Sequence, residues 1–129
     1  MMDNYKHSEI TEIIIKAFYN VYNKLGYGFL EKVYEKSLEI ECRKLGLKCL
    51  CQCSIEVFYD NEVVGFYIAD MIVNQFVIVE IKAASAIVAE HEIQLINYLK
   101  ATEIEVGLLL NFGKKPEFKR KVFSSDFKE

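Results

Sequence analysis

Asp70-Met-Ile-Val-Asn-Gln-Phe-Val-Ile-Val-Glu80-Ile-Lys82 is the stretch that decides how this chain is read. Its three ionisable side chains sit in or beside two β-branched, apolar runs, Val63–Val73 and Phe76–Ile81. Charge in such strands is costly unless it is paired, solvated or bound to a cation. Glu80 and Lys82 lie two positions apart and so share one face of a strand. Two carboxylates with a neighbouring ammonium form the donor set that magnesium-assisted phosphodiester cleavage needs. The carboxylates hold the ion, and the ammonium orients or activates a water and offsets developing charge. Asp70 and Glu80 share an ion only if they face the same way. A regular two-residue turn at Asn74-Gln75 pairs Ala69 with Glu80 and sends Asp70 to the opposite face. A site therefore requires an odd loop or a bulge at Asn74-Gln75-Phe76.

Outward from this stretch the hydrophobic period assigns the rest of the chain. Ile10, Ile13, Ile14, Ala17, Phe18, Val21, Tyr22 and Leu25 repeat at helical spacing, with Ser8, Thr11 and Glu12 at the start and Gly26-Tyr27-Gly28 as the stop. A second helix is predicted over Glu31–Leu45, with Leu30, Val33, Tyr34, Ser37, Leu38, Glu41 and Leu45 on its inner stripe and Gly46 ending it. The period then changes to 2. Cys49–Tyr59 reads as a strand with Ile55, Val57 and Tyr59 on one face, and Asp60-Asn61 as a turn. Val63–Val73 and Phe76–Lys82 are the next strands, and Ala83–Ala89 is a loop or helix entry. Ala89–Ala101 is a third helix, with Ile93, Leu95, Ile96, Tyr98 and Leu99 as its apolar positions. The unbroken apolar run Val106–Asn111 suits a buried sheet centre. Gly113-Lys114-Lys115-Pro116 is a loop, and Phe118–Phe123 a final edge strand. The order α-α-β-β-β-α-β-β describes one α/β sandwich.

At 129 residues the chain fits a single domain, 1–129. Its hydrophobic fraction of 52%, with nine Phe and eight Tyr, argues against disorder. No apolar run approaches the roughly 20 residues of a membrane span. The N-terminus, Met-Met-Asp-Asn-Tyr-Lys-His-Ser-Glu, is polar and lacks a signal-peptide core. A cytoplasmic location and no membrane partner are expected. The net charge of −3 weighs against tight, nonspecific nucleic-acid binding. A local basic stripe at Lys114, Lys115, Lys119, Arg120 and Lys121 runs the other way, unless it is a solvated charged tail. Cys49, Cys51 and Cys53 alternate, so on a strand they share a face and do not splay into a tetrahedral site. With Cys42 they read as reduced thiols acting as small hydrophobes.

Two further groups accompany the acidic stretch. His91, Gln94 and Tyr98 lie three and four apart, on one face of the third helix. Gln94 has both donor and acceptor atoms with which to position a water or phosphate. Glu31, one turn before Tyr34, is either a first-turn acid favoured by the helix dipole or a third acidic group for the ion.

Asp70…Glu80-x-Lys82 resembles the core motif of the PD-(D/E)xK nuclease superfamily, and Gln94-x-x-x-Tyr98 resembles the helix motif of its RecB-like branch. Gly28-x-x-Glu31-x-x-Tyr34, with His91–Lys100 and Gly107–Gly113, is similar to the small GxxExxY family within it. The resemblance implies a restriction-endonuclease-like fold: a mixed sheet of four or five strands with helices on both faces. It implies a Mg²⁺ (or Mn²⁺) site formed by Asp70, Glu80, Glu31 and the Ile81 carbonyl. Lys82 then assists the attacking water, Gln94 supports catalysis, and Gln94, Tyr98 and His91 contact substrate. The expected function is metal-dependent hydrolysis of nucleic acid, DNA in preference to RNA, with a homodimer as one way to grip a duplex and no organic cofactor. The alternative is a catalytically weak or inactive binding or regulatory module on the same fold.

Overall fold

The computed structural model describes residues 6–128. Residues 1–5 and 129, with most of the polar N-terminal segment and the outer ends of the expected domain, lie outside the described residues. The elements are α1 (Ser8–Leu25), α2 (Glu31–Lys44), β1 (Cys49–Tyr59), β2 (Glu62–Val73), β3 (Val77–Lys82), α3 (Ala89–Ala101), β4 (Val106–Phe112) and β5 (Pro116–Val122). A short 3₁₀ turn, Ser125–Phe127, follows β5. Among the described residues no helix is long and apolar enough to cross a membrane.

The strands form one sheet in the order β1-β2-β3-β4-β5. β3 and β4 run parallel, joined by α3, and all other neighbours are antiparallel. A parallel pair needs a long crossover, and α3 supplies it. Every residue of β4 is buried, because a parallel pair at the sheet centre is covered on both faces. Leu108, Leu110 and Phe112 pack with Ile14, Phe18, Tyr34 and Leu38 of α1 and α2. Leu109 and Ile78 pack with Leu95, Tyr98 and Leu99 of α3. At Gly107 a Cβ would stand 2.7 Å from Leu95 Cδ1, so a glycine is what lets α3 lie this close to β4.

α1 has the predicted stripe: Ile14, Ala17, Phe18 and Val21 are buried. α2 departs from its prediction. Tyr34, Glu35, Leu38 and Cys42 are buried, while Leu30 and Val33 are exposed. The helix is rotated by about one residue because it packs on α1 and β1 together. Asn20 Nδ2 donates to Glu41 Oε2 (3.1 Å), and Gln52 Nε2 donates to Glu35 Oε1 (2.9 Å). A buried glutamate is tolerable where it is hydrogen-bonded. On α3, Ile93 is exposed rather than part of the apolar face.

The cysteine reading changes in one respect. Cys49 and Cys51 pack on the α1–α2 core beside buried Cys42. Gln52 adopts φ 58° and breaks the alternation before Cys53, whose thiol donates to the Leu50 carbonyl (3.3 Å). The basic stripe is also divided. Lys119 and Lys121 pair with Glu92 of α3, and Arg120 donates to the Lys6 carbonyl.

Candidate active site

The turn between β2 and β3 settles whether the two carboxylates meet. Val73 pairs with Val77, Ile72 with Ile78 and Met71 with Val79. The loop is therefore three residues, Asn74-Gln75-Phe76, with Asn74 and Gln75 left-handed at φ 51° and 64°. Asparagine tolerates that region better than most residues. Asn74 Oδ1 also accepts the Lys48 N–H (2.8 Å), which fixes the corner. The odd loop brings Asp70 into register opposite Glu80.

Backbone pairing stops at Met71 and Val79. Beyond it the carboxylates take over. The Asp70 N–H donates to Glu80 Oε2 (2.8 Å), and the Ile81 N–H donates to Asp70 Oδ2 (2.8 Å). On the other side of β2 the ladder also lapses at this level. Cys51 pairs with Met71 and Cys53 with Ala69, while left-handed Gln52, between them, has no partner opposite Asp70. Buried Glu35 holds the Gln52 side chain. Asp70 is thus released from strand pairing on both edges. The hairpin rolls over there: Met71 belongs to the α1–α2 core, and Ala69, two residues earlier, to the α3 core.

The pair is electrostatically loaded. Glu80 is 4% exposed. Burial first, and then the Asp70 charge, push its carboxyl up to about 8; the Asp70 N–H and Lys82 oppose that rise, and Glu31 adds a little to it. Tyr98, in the α3 core, is pushed up to about 12 by burial and by the charges of Glu80 and Asp70. Lys82 is half-buried and makes no ion pair among the described residues. One oxygen of each carboxylate is engaged by a backbone N–H, and Asp70 Oδ1 and Glu80 Oε1 accept no hydrogen bond from the described residues. Two hard carboxylate oxygens left without protein donors suit Mg²⁺ or Mn²⁺. The Ile81 amide points at Asp70, and the carbonyl of a strand residue lies on the same edge as its N–H.

The other predicted residues are placed unequally. Glu31 opens α2 and is exposed. Among the described residues no three His, Cys, Asp or Glu side chains converge as a metal-holding group, so Glu31 is not brought into one cluster with Asp70 and Glu80. Tyr34 is packed rather than presented. Its ring stacks on Phe112 (4.3 Å between centroids), and its hydroxyl donates to the Gly26 carbonyl (2.7 Å) and accepts the Phe29 N–H (3.2 Å). It ties down the loop that delivers Glu31. His91 caps α3: its Nδ1 accepts the Val88 N–H (3.2 Å). Gln94 and Tyr98 line a cleft of about 690 Å³ between α3 and the β1–β2 hairpin.

One positioning residue escaped sequence reasoning. Asn111, fully buried, pairs across from Lys82. Its Oδ1 accepts the Ala84 N–H (2.9 Å) and its Nδ2 donates to the Ala84 carbonyl (3.0 Å). These bonds clamp the chain just after Lys82. A single amide in an otherwise apolar strand was the available signal. Next to it, a Cβ at Gly113 would stand 2.2 Å from the Ala84 carbonyl oxygen, so that position requires glycine.

A five-stranded mixed sheet with helices on both faces, carrying an acidic pair and a lysine on adjoining strands, defines a restriction-endonuclease-like α/β domain. The sequence profile of the PD-(D/E)XK nuclease superfamily matches residues 8–121, and the chain belongs to that superfamily. Among solved structures it is similar to the crystal structure of SSO0001, with a TM-score of 0.58 and 19% identity over 94% of this chain. The match spans 60% of the length of that structure, and at this identity it shows the fold. No curated protein matches the chain.

Proposed function

We propose that the domain is a divalent-metal-dependent nuclease that hydrolyses phosphodiester bonds, DNA in preference to RNA. The observation that carries this reading is the Asp70–Glu80 pair, brought into register by a three-residue loop, with one oxygen on each carboxylate left open. Asp70 and Glu80 would hold the ion, with the Ile81 carbonyl as a third donor. When bound, Mg²⁺ or Mn²⁺ supplies Lewis-acid polarisation of a phosphoryl oxygen. Lys82 orients the attacking water and offsets charge at phosphorus as the new P–O bond forms and the ester P–O bond breaks. Glu31 acts at longer range, from the first turn of α2, and Gln94 contacts the substrate strand. The spacings Gly28-x-x-Glu31-x-x-Tyr34 and Gln94-x-x-x-Tyr98 support a place in the GxxExxY family and the RecB-like branch.

The test is cleavage of labelled DNA and RNA by wild type, Glu80→Gln and Lys82→Ala in Mn²⁺. Each substitution is expected to lower the rate by about 10³-fold, the loss of some 4 kcal/mol of transition-state stabilisation. Unchanged rates in both variants would refute the proposal. The exposed position of Glu31, outside any metal-holding cluster, favours a second reading, a catalytically weak binding module. Absence of Mn²⁺-dependent cleavage by wild type would select it.

A further inference from the structure

Of the cleft between α3 and the β1–β2 hairpin the reading above uses only Gln94, yet the cleft shares a wall with the carboxylate pair. Tyr98 is that wall. It packs with Ala69, the residue before Asp70, and with Ile78, two residues before Glu80, and its ring centre lies 5.8 Å from that of Tyr67 at an interplanar angle of 49°. Tyr67 and Phe58 are half exposed or more, at 50% and 58%, so two aromatic faces stand open to solvent on the hairpin side. Ile93 adds an exposed apolar surface from α3. Between them lie Gln94 and Asn97, one turn apart. Neither amide makes a hydrogen bond to the described residues, so the donors and acceptors of both are available. The charged residues of the lining are Glu90 and Lys100, one of each sign. The Lys100 ammonium also lies 5.7 Å from the centre of the Phe123 ring. The cleft therefore offers no net charge to a phosphate. It offers flat apolar faces with free amides at their edge. Its volume falls within the roughly 300–1,000 Å³ of small-molecule sites.

We infer that this cleft receives an unpaired nucleobase of the substrate strand, stacked against Tyr67 and Phe58 and read at its edge by Gln94 and Asn97. The inference rests on the nuclease reading and names its substrate class: single-stranded nucleic acid, or a strand end with unpaired bases. A base held in a duplex is paired and stacked on its neighbours, and its flat face is not free for an aromatic wall. An unpaired base meets such a wall at little cost and without regard to sequence. The strand then continues from the cleft past Tyr98 toward Asp70 and Glu80.

The experiment measures binding rather than cutting. The Glu80→Gln protein is titrated, in EDTA, into fluorescein-labelled single-stranded DNA of twelve nucleotides, RNA of the same sequence, and the corresponding DNA duplex, with anisotropy as the readout. A single strand is expected to bind at least about tenfold more tightly than the duplex. Tyr67→Ala on the same background should weaken single-strand binding by about tenfold, the worth of one stacked base, while Tyr67→Phe keeps it. Asn97→Ala, at an exposed position, should weaken it by a smaller factor, and this variant guards against misfolding of the first. A tighter grip on DNA or on RNA identifies which strand enters, and either supports the inference. Equal binding of duplex and single strand, or full single-strand affinity in both Tyr67→Ala and Asn97→Ala, would overturn it. Because cleavage is not measured, a chain that binds single strands through Tyr67 but cuts none retains the cleft and loses the nuclease reading. A chain that cuts in Mn²⁺ but is indifferent to Tyr67 does the reverse.

Discussion

β2 has two halves that live in different surroundings. Met71 and Val73 are fully buried beneath α1 and α2, while Val64, Phe66 and Ile68 are 63%, 67% and 56% exposed. Asp70 stands where one regime gives way to the other. In the buried half β2 is paired on both edges, and a carboxylate there would find few backbone donors to accept from. In the exposed half a carboxylate would be solvated, and its position would be loosely held. At the junction the ladder to β3 has ended and the ladder to β1 skips one pair, so free backbone N–H groups are at hand while burial is still nearly complete at Glu80. Two acids can be held rigidly there because the sheet leaves its own amides unspent. The site is a product of where strand pairing lapses, as much as of which residues it contains.

That contrast can be broken most severely from the buried side. Leu108→Ala, in the fully buried centre strand, should cost about 2–5 kcal/mol by removing packing atoms and leaving a cavity. Phe66→Ala, on the exposed half of β2, should stay within about 0.5 kcal/mol of wild type. Urea denaturation of the two variants measures the difference. Equal losses would mean that the hairpin is as structurally committed as the centre.

The junction itself is tested by Gln52→Ala. The backbone at Gln52 is left-handed in either case, so the substitution isolates the bond to buried Glu35. A loss of about 1–2 kcal/mol is expected from the uncompensated acceptor. Mn²⁺ affinity should also fall, since the lapse in pairing opposite Asp70 is no longer pinned. Loss of stability with unchanged Mn²⁺ affinity would separate Gln52 from the site.

The smallest effect lies at the far end of the sheet, before β4. There Glu105 accepts hydrogen bonds from the Ser125 N–H and from Lys6 Nζ, and these hold its carboxyl down at about 2. A carboxyl depressed on folding adds stability that is fully present above its ordinary value near 4.5. That stability is lost as pH falls toward 2. Melting temperatures of wild type and Glu105→Gln should therefore differ at pH 6 and converge below pH 3. A difference that grows with acid would contradict the sign.

Much of this was legible in the chain. α3 and β1 have the predicted bounds, and α1 and β4 carry the predicted patterns, because their apolar periods are set by a helix face or by a strand buried on both sides. The requirement for an odd loop at Asn74-Gln75-Phe76 followed from strand geometry alone, and the left-handed pair Asn74-Gln75 meets it. What was not legible depends on contacts between distant segments. The inward turn of Glu35 is set by Gln52, which belongs to another element. The roll of the hairpin at Asp70 depends on a backbone conformation at Gln52 that no local propensity favours. Exposed Ile93 looked like core because periodicity cannot distinguish a core face from a cleft wall. Glu31 carried the right spacing to Tyr34, yet that spacing fixes Tyr34 in the core and leaves Glu31 at the surface.

In the proposed site Asp70 and Glu80 together hold a divalent cation. Calorimetric titration of Mn²⁺ into wild type and Glu80→Gln tests it most directly. A saturating isotherm in wild type that vanishes in the variant is predicted. Identical isotherms, or no heat of binding in either protein, would contradict it.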